Sequence, residues 1–169
     1  MSTRGALARS SVLVAVAVVA VDQLAKRWAV DVLSGGRPRH VVWTLQWNLS
    51  FNSGMAFSRG QGAGPIIGAL AFVVIAGLLV SLRQQGSRVS AIAVGLVIGG
   101  AAGNLADRLF RGRGWLRGSV VDFVDLQWWP IFNVADMAIS VGGPLLLLSA
   151  YLASRHPSVA EPSVDESRV

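Results

Sequence analysis

Three charge-free apolar stretches constrain this chain more than any other feature: residues 60–82, 89–106 and 137–154. The hydrocarbon core of a bilayer takes about 20 helical residues to cross, and each stretch meets or approaches that length. Because lipid offers no hydrogen bonds, such a segment must satisfy its own backbone, which selects the helix. A fourth apolar run begins at Ser10, but Asp22, Lys26 and Arg27 interrupt the helix needed to complete its crossing. Arg4 and Arg9 ahead of that short core also fit a secretory signal peptide. Against that reading, only Ala20 offers a poor cleavage site, and removal would discard Asp22 and Lys26. The expected spans are therefore 11–30, 64–82, 89–108 and 133–154, in a single integral-membrane domain over residues 1–155. Residues 156–169, with Pro, Ser and the acids Glu161, Asp165 and Glu166, read as a disordered tail.

Only 14% of the residues are charged, against roughly 25% in soluble domains, so the chain is not built to face water all round. A net charge of +6 raises the question of nucleic acid. The arginines, however, sit in the gaps between apolar runs, where snorkelling and anionic headgroups account for them, and nucleic acid is not expected as a partner. They do not fix orientation. Arg4, Arg9, Arg83, Arg88, Arg155 and Arg168 lie on the side of the termini, and Arg37, Arg39, Arg59, Arg111, Arg113 and Arg117 on the other. The absence of cysteine removes disulfides, thiolate metal sites and a cysteine nucleophile.

Four spans put the connections 31–59 and 110–131 on the face opposite the termini. Residues 40–48 are rich in β-branched and aromatic side chains, which predicts short strands of a small surface sheet. Trp28, Trp43, Trp47, Trp115, Trp128 and Trp129 all fall on this face, as expected of a surface in the headgroup layer. The overall expectation is an all-α polytopic membrane protein of four transmembrane helices, with a small β-sheet and a second loop on one side. Gly95, Gly99 and Gly103 recur every four residues in the third span, a stripe that lets a neighbouring helix approach closely.

The acids carry the chemistry. Six of nine lie from Asp22 to Asp136, all of them Asp, beside or inside apolar runs where a charge is costly. Asn104, Asp107 and Arg108 share a helix face; Asp22 and Lys26 are four apart, and Asn133 and Asp136 three apart. Antiparallel hairpins bring these helix ends to one membrane surface, where Asp122 and Asp125 join them. Capping and ion pairing account for each residue singly: Asp22 with Lys26, and Asn133 capping the fourth helix with Asp136 in its first turn. Jointly they leave several acids and amides with few cations.

Two neighbouring carboxylates cannot both ionise cheaply, which supplies a base to activate water and an acid to protonate a leaving group. His40 and His156 are on opposite sides, so no Ser-His-Asp set is visible. A Ser/Lys pair using Lys26 remains open without a serine motif to support it. No His/Cys/Glu cluster has ligand spacing, so neither metal nor cofactor is expected. In an extended segment Asp122 and Asp125 point to opposite sides. A small proton-coupled transporter is the competing reading, opposed by few spans, no repeat halves and acids gathered at a surface. An assembly protein without hydrolytic activity is a further one.

Five segments, in order, resemble the lipoprotein signal peptidase (signal peptidase II) family. They are Asp22-x-x-x-Lys26, Asn52-Ser53-Gly54-Met55-Ala56-Phe57, Gly103-Asn104-Leu105-Ala106-Asp107-Arg108, Val120-Val121-Asp122-Phe123 and Phe132-Asn133-Val134-Ala135-Asp136. Each is short, but their order over residues 22–139 is specific. The resemblance implies a membrane aspartyl endopeptidase with Asp122 and Asp136 as catalytic dyad. It implies binding or supporting roles for Asp22, Lys26, Asn52, Gly54, Asn104, Arg108 and Asn133. The substrate implied is a diacylglyceryl-modified bacterial prolipoprotein cut before its lipidated cysteine, with membrane lipid as a further partner and inhibition by globomycin-type antibiotics. The location implied is the bacterial cytoplasmic membrane, with both termini cytoplasmic and the sheet, second loop and active site extracytoplasmic. Two features depart from the family pattern: a longer Arg/Gly-rich stretch between Arg108 and Asp122, and Met55 where alanine is usual.

Overall fold

The computed structural model describes residues 3–54 and 63–155. Met55 and Arg59, and the tail expected at 156–169, lie outside the described residues. The elements run α1 (Thr3–Leu33), β1 (Arg39–Val42), β2 (Leu45–Asn52), α2 (Gly64–Ser81), a 3-10 turn (Leu82–Gln84), α3 (Arg88–Phe110), β3 (Val120–Asp125) and α4 (Val134–Arg155). All four helices are long and apolar enough to cross a membrane.

The first helix is longer than the expected 11–30: α1 runs from Thr3 through Asp22 and Lys26 to Leu33. The Asp22 and Lys26 side chains are fully buried against α3, so the ionic groups are satisfied inside the bundle. At the other end of the bundle Ser11 donates a 2.8 Å hydrogen bond to the carbonyl of Ala91.

α3 is the central helix and carries half of the buried helical positions, more than any other helix. Its glycine stripe seats α1: a Cβ at Gly95 would lie 2.6 Å from the Ser11 carbonyl, and one at Gly99 2.7 Å from the Val18 Cβ. Gly103 faces the Asp22 carboxylate. The packing role assigned to the stripe is thus realised, with α1 as the partner. Gly100, outside the stripe, lets α4 approach at Ala135 and Ile139.

The sheet has three antiparallel strands in the order β1-β2-β3. β1 and β2 form the hairpin expected from residues 40–48, turning at Trp43 with a positive φ of 54°. The third strand comes from the second connection, and β3 is buried at every position. Its inner packing includes Ala29 and Leu33 of α1 around Phe123 and Val124. Phe132 pairs with Val124 through backbone hydrogen bonds of 2.8 and 3.1 Å, so the chain folds back beside β3 before entering α4.

The tryptophans divide. Trp43, Trp115, Trp128 and Trp129 are exposed, as expected of an interfacial face. Trp28, 40% exposed, packs edge-on against both Phe123 and the half-buried Trp47, and Trp47 lies tilted on Phe123, so that pair braces the sheet against α1.

Candidate active site

The acids are placed by α1, α3, β3 and α4. Asp122 and Asp125 both lie on β3, and their partners show how the strand separates them. Asp122 accepts from Asn133 Nδ2 at 2.6 Å and from Asn52 Nδ2 at 3.2 Å. Asp125 instead accepts from the Gln46 and Asn48 amides and from the Gln127 N–H, at 2.7, 2.9 and 2.7 Å. Burial opposes ionisation of Asp125, but those hydrogen bonds from Asn48, Gln46 and Gln127 prevail and hold its carboxyl below the usual range. Asp125 therefore ties the sheet together and turns away from Asp136.

The start of α4 follows from a reciprocal capping box. Asn133 Oδ1 accepts from the Asp136 N–H at 3.0 Å, while Asp136 Oδ2 accepts from the Asn133 N–H at 3.2 Å. With its oxygen engaged in capping, the Asn133 amide must turn its NH2 group outward. That group reaches Asp122 at 2.6 Å and Asn104 Oδ1 at 3.2 Å. Asn104 in turn donates to Asp136 Oδ1 at 2.8 Å. Asn133, Asn104 and Asp136 thus close a hydrogen-bonded ring between α3 and the start of α4, and Asp122 on β3 joins it through Asn133. Capping and site-building, which compete as readings of the sequence, are one arrangement here.

Beneath this ring lies an ionic layer. Lys26 Nζ contacts Asp22 at 2.8 Å, Asp107 at 2.9 Å and Asn104 Oδ1 at 2.9 Å, which uses all three of its donors. Asp22 also accepts the Ala135 N–H at 2.9 Å, satisfying a donor in the first turn of α4. Asp107 is further held by Arg111 at 2.7 Å and by the Val121 N–H at 3.2 Å. The four charges of Asp22, Asp107, Lys26 and Arg111 balance. Asp122 and Asp136 differ: no Lys or Arg lies within ion-pairing distance of either among the described residues.

Burial pushes the Asp122 carboxyl up to about 7, and the neighbouring Asp136 charge adds to the rise. The hydrogen bonds from Asn52 and Asn133 oppose it without cancelling it. Near neutral pH the pair can therefore hold a proton, the condition for one carboxyl to donate while the other accepts.

Asp122 and Asp136 line the polar end of a cavity of about 600 Å³, together with Asn52, Gly54, Asn104 and Arg108. Its remaining walls are apolar side chains of α2, α3 and α4 and the Trp129–Phe132 segment. Arg108 donates to the Gly54 carbonyl at 3.1 Å through Nη2, and its buried Nη1 has no partner. A smaller cavity of about 390 Å³ lies between this segment and α4 and also reaches Asp136.

Of the nine residues singled out from the sequence, six line the main cavity. Asn133 joins the two acids from behind, whereas Asp22 and Lys26 lie in the ionic layer and do not border the cavity. Asp107 and Gln23 were not among the nine. Gln23 bridges Asp22, Asp107 and the Gly103 carbonyl. Asp107 had a visible signal, three residues after Asn104 and four before Arg111; Gln23 had none. Among the described residues no group of three or more His, Asp or Glu side chains is placed to hold a metal ion.

Four membrane-spanning helices with two cation-free acids at the end of an apolar cavity define a polytopic membrane protein with a hydrolase-like site. The family model for signal peptidase (SPase) II matches residues 14–152, and the chain belongs to that family. It is 43% identical over 136 residues to the lipoprotein signal peptidase of Mycobacterium avium (strain 104), covering 80% of this chain and 74% of that one. It is 39% identical over 158 residues to the lipoprotein signal peptidase of Rhodococcus jostii (strain RHA1), covering 91% and 78%. Among solved structures, a bacterial membrane enzyme determined in meso at 2.3 Å superposes with a TM-score of 0.73 at 25% identity, covering 89% of this chain and 93% of that one. A second, at 1.9 Å, gives 0.69 at 26% identity, covering 83% and 91%.

Proposed function

We propose that this protein is an aspartic endopeptidase that removes signal peptides from diacylglyceryl-modified prolipoproteins, cutting before the lipidated cysteine. The observation that carries the reading is the contrast among the acids. Asp22 and Asp107 are neutralised by Lys26 and Arg111, and Asp125 is satisfied by amides, whereas Asp122 and Asp136 line a large cavity and form an ion pair with no cation among the described residues. A pair in that environment is suited to share a proton across a scissile amide.

In the reaction, the ionised member takes a proton from a water molecule, which attacks the scissile carbonyl carbon. The protonated member then delivers its proton to the departing amide nitrogen as the C–N bond breaks. Asn104, Asn133 and Asn52 hold the carboxyl oxygens in place throughout, and Arg108 Nη1 is the free donor beside the peptide. Asp22 and Lys26 act as supports, fixing α1 and α4 against α3. No metal or cofactor enters this scheme. The apolar cavity walls and the exposed tryptophans suit a substrate presented from the bilayer with its lipid attached.

The peptidase forms a single domain over residues 1–155 of the bacterial cytoplasmic membrane, with both termini cytoplasmic and the sheet and site extracytoplasmic. A globomycin-type peptide would inhibit by filling the cavity. The test is turnover of a lipidated prolipoprotein by the purified protein, followed by gel shift, beside the same precursor without lipid. Cleavage of the lipidated form alone supports the assignment. Equal rates on both forms would exclude lipid recognition, and no cleavage of either would exclude the peptidase.

A further inference from the structure

The connection at residues 110–118 carries a chemistry that the proposed catalytic scheme does not use. From Asp107 to Asp122 there is no acidic residue, while Arg111, Arg113 and Arg117 flank Phe110 and Trp115. The segment begins where α3 ends, at the level where a spanning helix leaves the hydrocarbon.

Close backbone and side-chain packing fixes its shape. A Cβ at Gly112 would lie 2.6 Å from the Gly118 Cα, so the two limbs of the segment touch. Gly118 rests against the carbonyl end of α3 and donates to the Arg108 carbonyl at 2.9 Å. Leu116, only 2% exposed, fills a notch on α2 where a Cβ at Gly68 would come within 2.8 Å of it. What remains projects outward. Phe110 is 83% and Trp115 77% exposed, and Arg113 and Arg117 are exposed beside them.

The arginines are not equivalent. Arg111 is committed to Asp107 at 2.7 Å. Among the described residues no carboxylate pairs with Arg113 or Arg117. Two cations without counter-ions, set beside two large exposed aromatics at a membrane boundary, match the requirements of an anionic lipid surface. The aromatic rings favour the headgroup layer, and guanidinium binds phosphate through paired hydrogen bonds.

We propose that the 110–118 segment is a binding site for the phosphate headgroup of anionic phospholipids in the leaflet facing the catalytic cavity. Arg113 and Arg117 contact the phosphate, and Phe110 and Trp115 enter the boundary between headgroups and acyl chains. The inference rests on the membrane placement of the site face, and its readout does not require peptidase activity.

The experiment uses the full chain in nanodiscs of phosphatidylcholine with and without phosphatidylglycerol, with retained lipid measured by native mass spectrometry. A basic residue near an anionic surface contributes about five-fold in affinity, so Arg113→Gln/Arg117→Gln should lower the preference for phosphatidylglycerol about 25-fold. The corresponding double Lys variant should keep most of it. Unaltered thermal stability of both variants is expected, since the side chains are exposed. Equal retention by wild type and the Gln variant overturns the proposal. So does unchanged retention with weaker prolipoprotein binding in phosphatidylcholine alone, which would assign the arginines to an acidic stretch of the substrate.

Discussion

Asp122→Asn should abolish turnover and, at the same time, remove a pH-dependent instability. The folded protein holds the Asp122 carboxyl at about 7, against 3.8 for the free group. Between those values the folded state binds a proton that the unfolded state has released. For a group raised on folding, the stabilising contribution is complete below about 4 and is lost as pH rises through about 7. The limiting slope is about 1.4 kcal/mol per pH unit, so pH 5 to pH 7 costs at most about 3 kcal/mol. Coupling to Asp136 spreads the proton over two groups and reduces that figure. Asparagine cannot ionise, but it turns one NH2 toward either Asn52 or Asn133, a fixed penalty of about 1–3 kcal/mol at all pH values. The variant is therefore expected to start less stable than wild type at pH 5 and to close the gap by pH 8. In a chain of this size about 3 kcal/mol corresponds to about 6–12 °C in apparent Tm, the upper limit of the change. Scanning fluorimetry of both proteins in detergent across that range gives the difference directly. Parallel curves for the two proteins would refute the claim that burial and Asp136 hold Asp122 protonated, whatever happens to activity.

Asp136→Asn should lower prolipoprotein turnover by at least ~10²–10⁴, and the double Asp122→Asn/Asp136→Asn variant should be hardly worse than either single one; near-normal turnover by either single variant contradicts the dyad. Asp125→Asn should keep most activity while costing about 1–3 kcal/mol at neutral pH from weakened ties to Gln46, Asn48 and Gln127, a loss that shrinks as pH falls and Asp125 protonates in wild type too. Lys26→Met leaves Asp22 and Asp107 buried without their shared cation and should destabilise by about 3–5 kcal/mol; adding Asp107→Asn should recover part of it, and an unchanged apparent Tm for Lys26→Met would show that the ionic layer is not required. Turnover should survive a strong chelator, since the proposed dyad would activate water without an ion; loss on chelation with recovery on adding zinc would make the carboxylates ligands.

What was legible in the sequence divides by the range of the physics involved. The four helices follow from apolar length because the bilayer forces backbone satisfaction within each segment, and that requirement is local. The β1–β2 hairpin and the opposite facing of Asp122 and Asp125 follow from strand geometry, also local. Long-range contacts were not legible. Asp22 and Lys26 interrupt the apolar run of the first span, and nothing local shows what satisfies such a pair; Asp107 and Asn104, some 80 residues away, complete the coordination of Lys26. Trp28 and Trp47 read as interfacial anchors, yet Phe123 from β3 draws both into a packed cluster. The family motifs marked which residues belong together but not how they divide the work. Asn133 shows why. A cap residue has one oxygen to give the helix, and giving it turns the amide NH2 toward whatever lies beyond the helix end. Here Phe132 is bridged to Val124, so β3 lies beside that end and Asp122 receives the donor. The same bond that starts α4 therefore aims the group that links the two acids. A substitution at Asn133 must disturb the helix terminus and the dyad together, since one amide serves both.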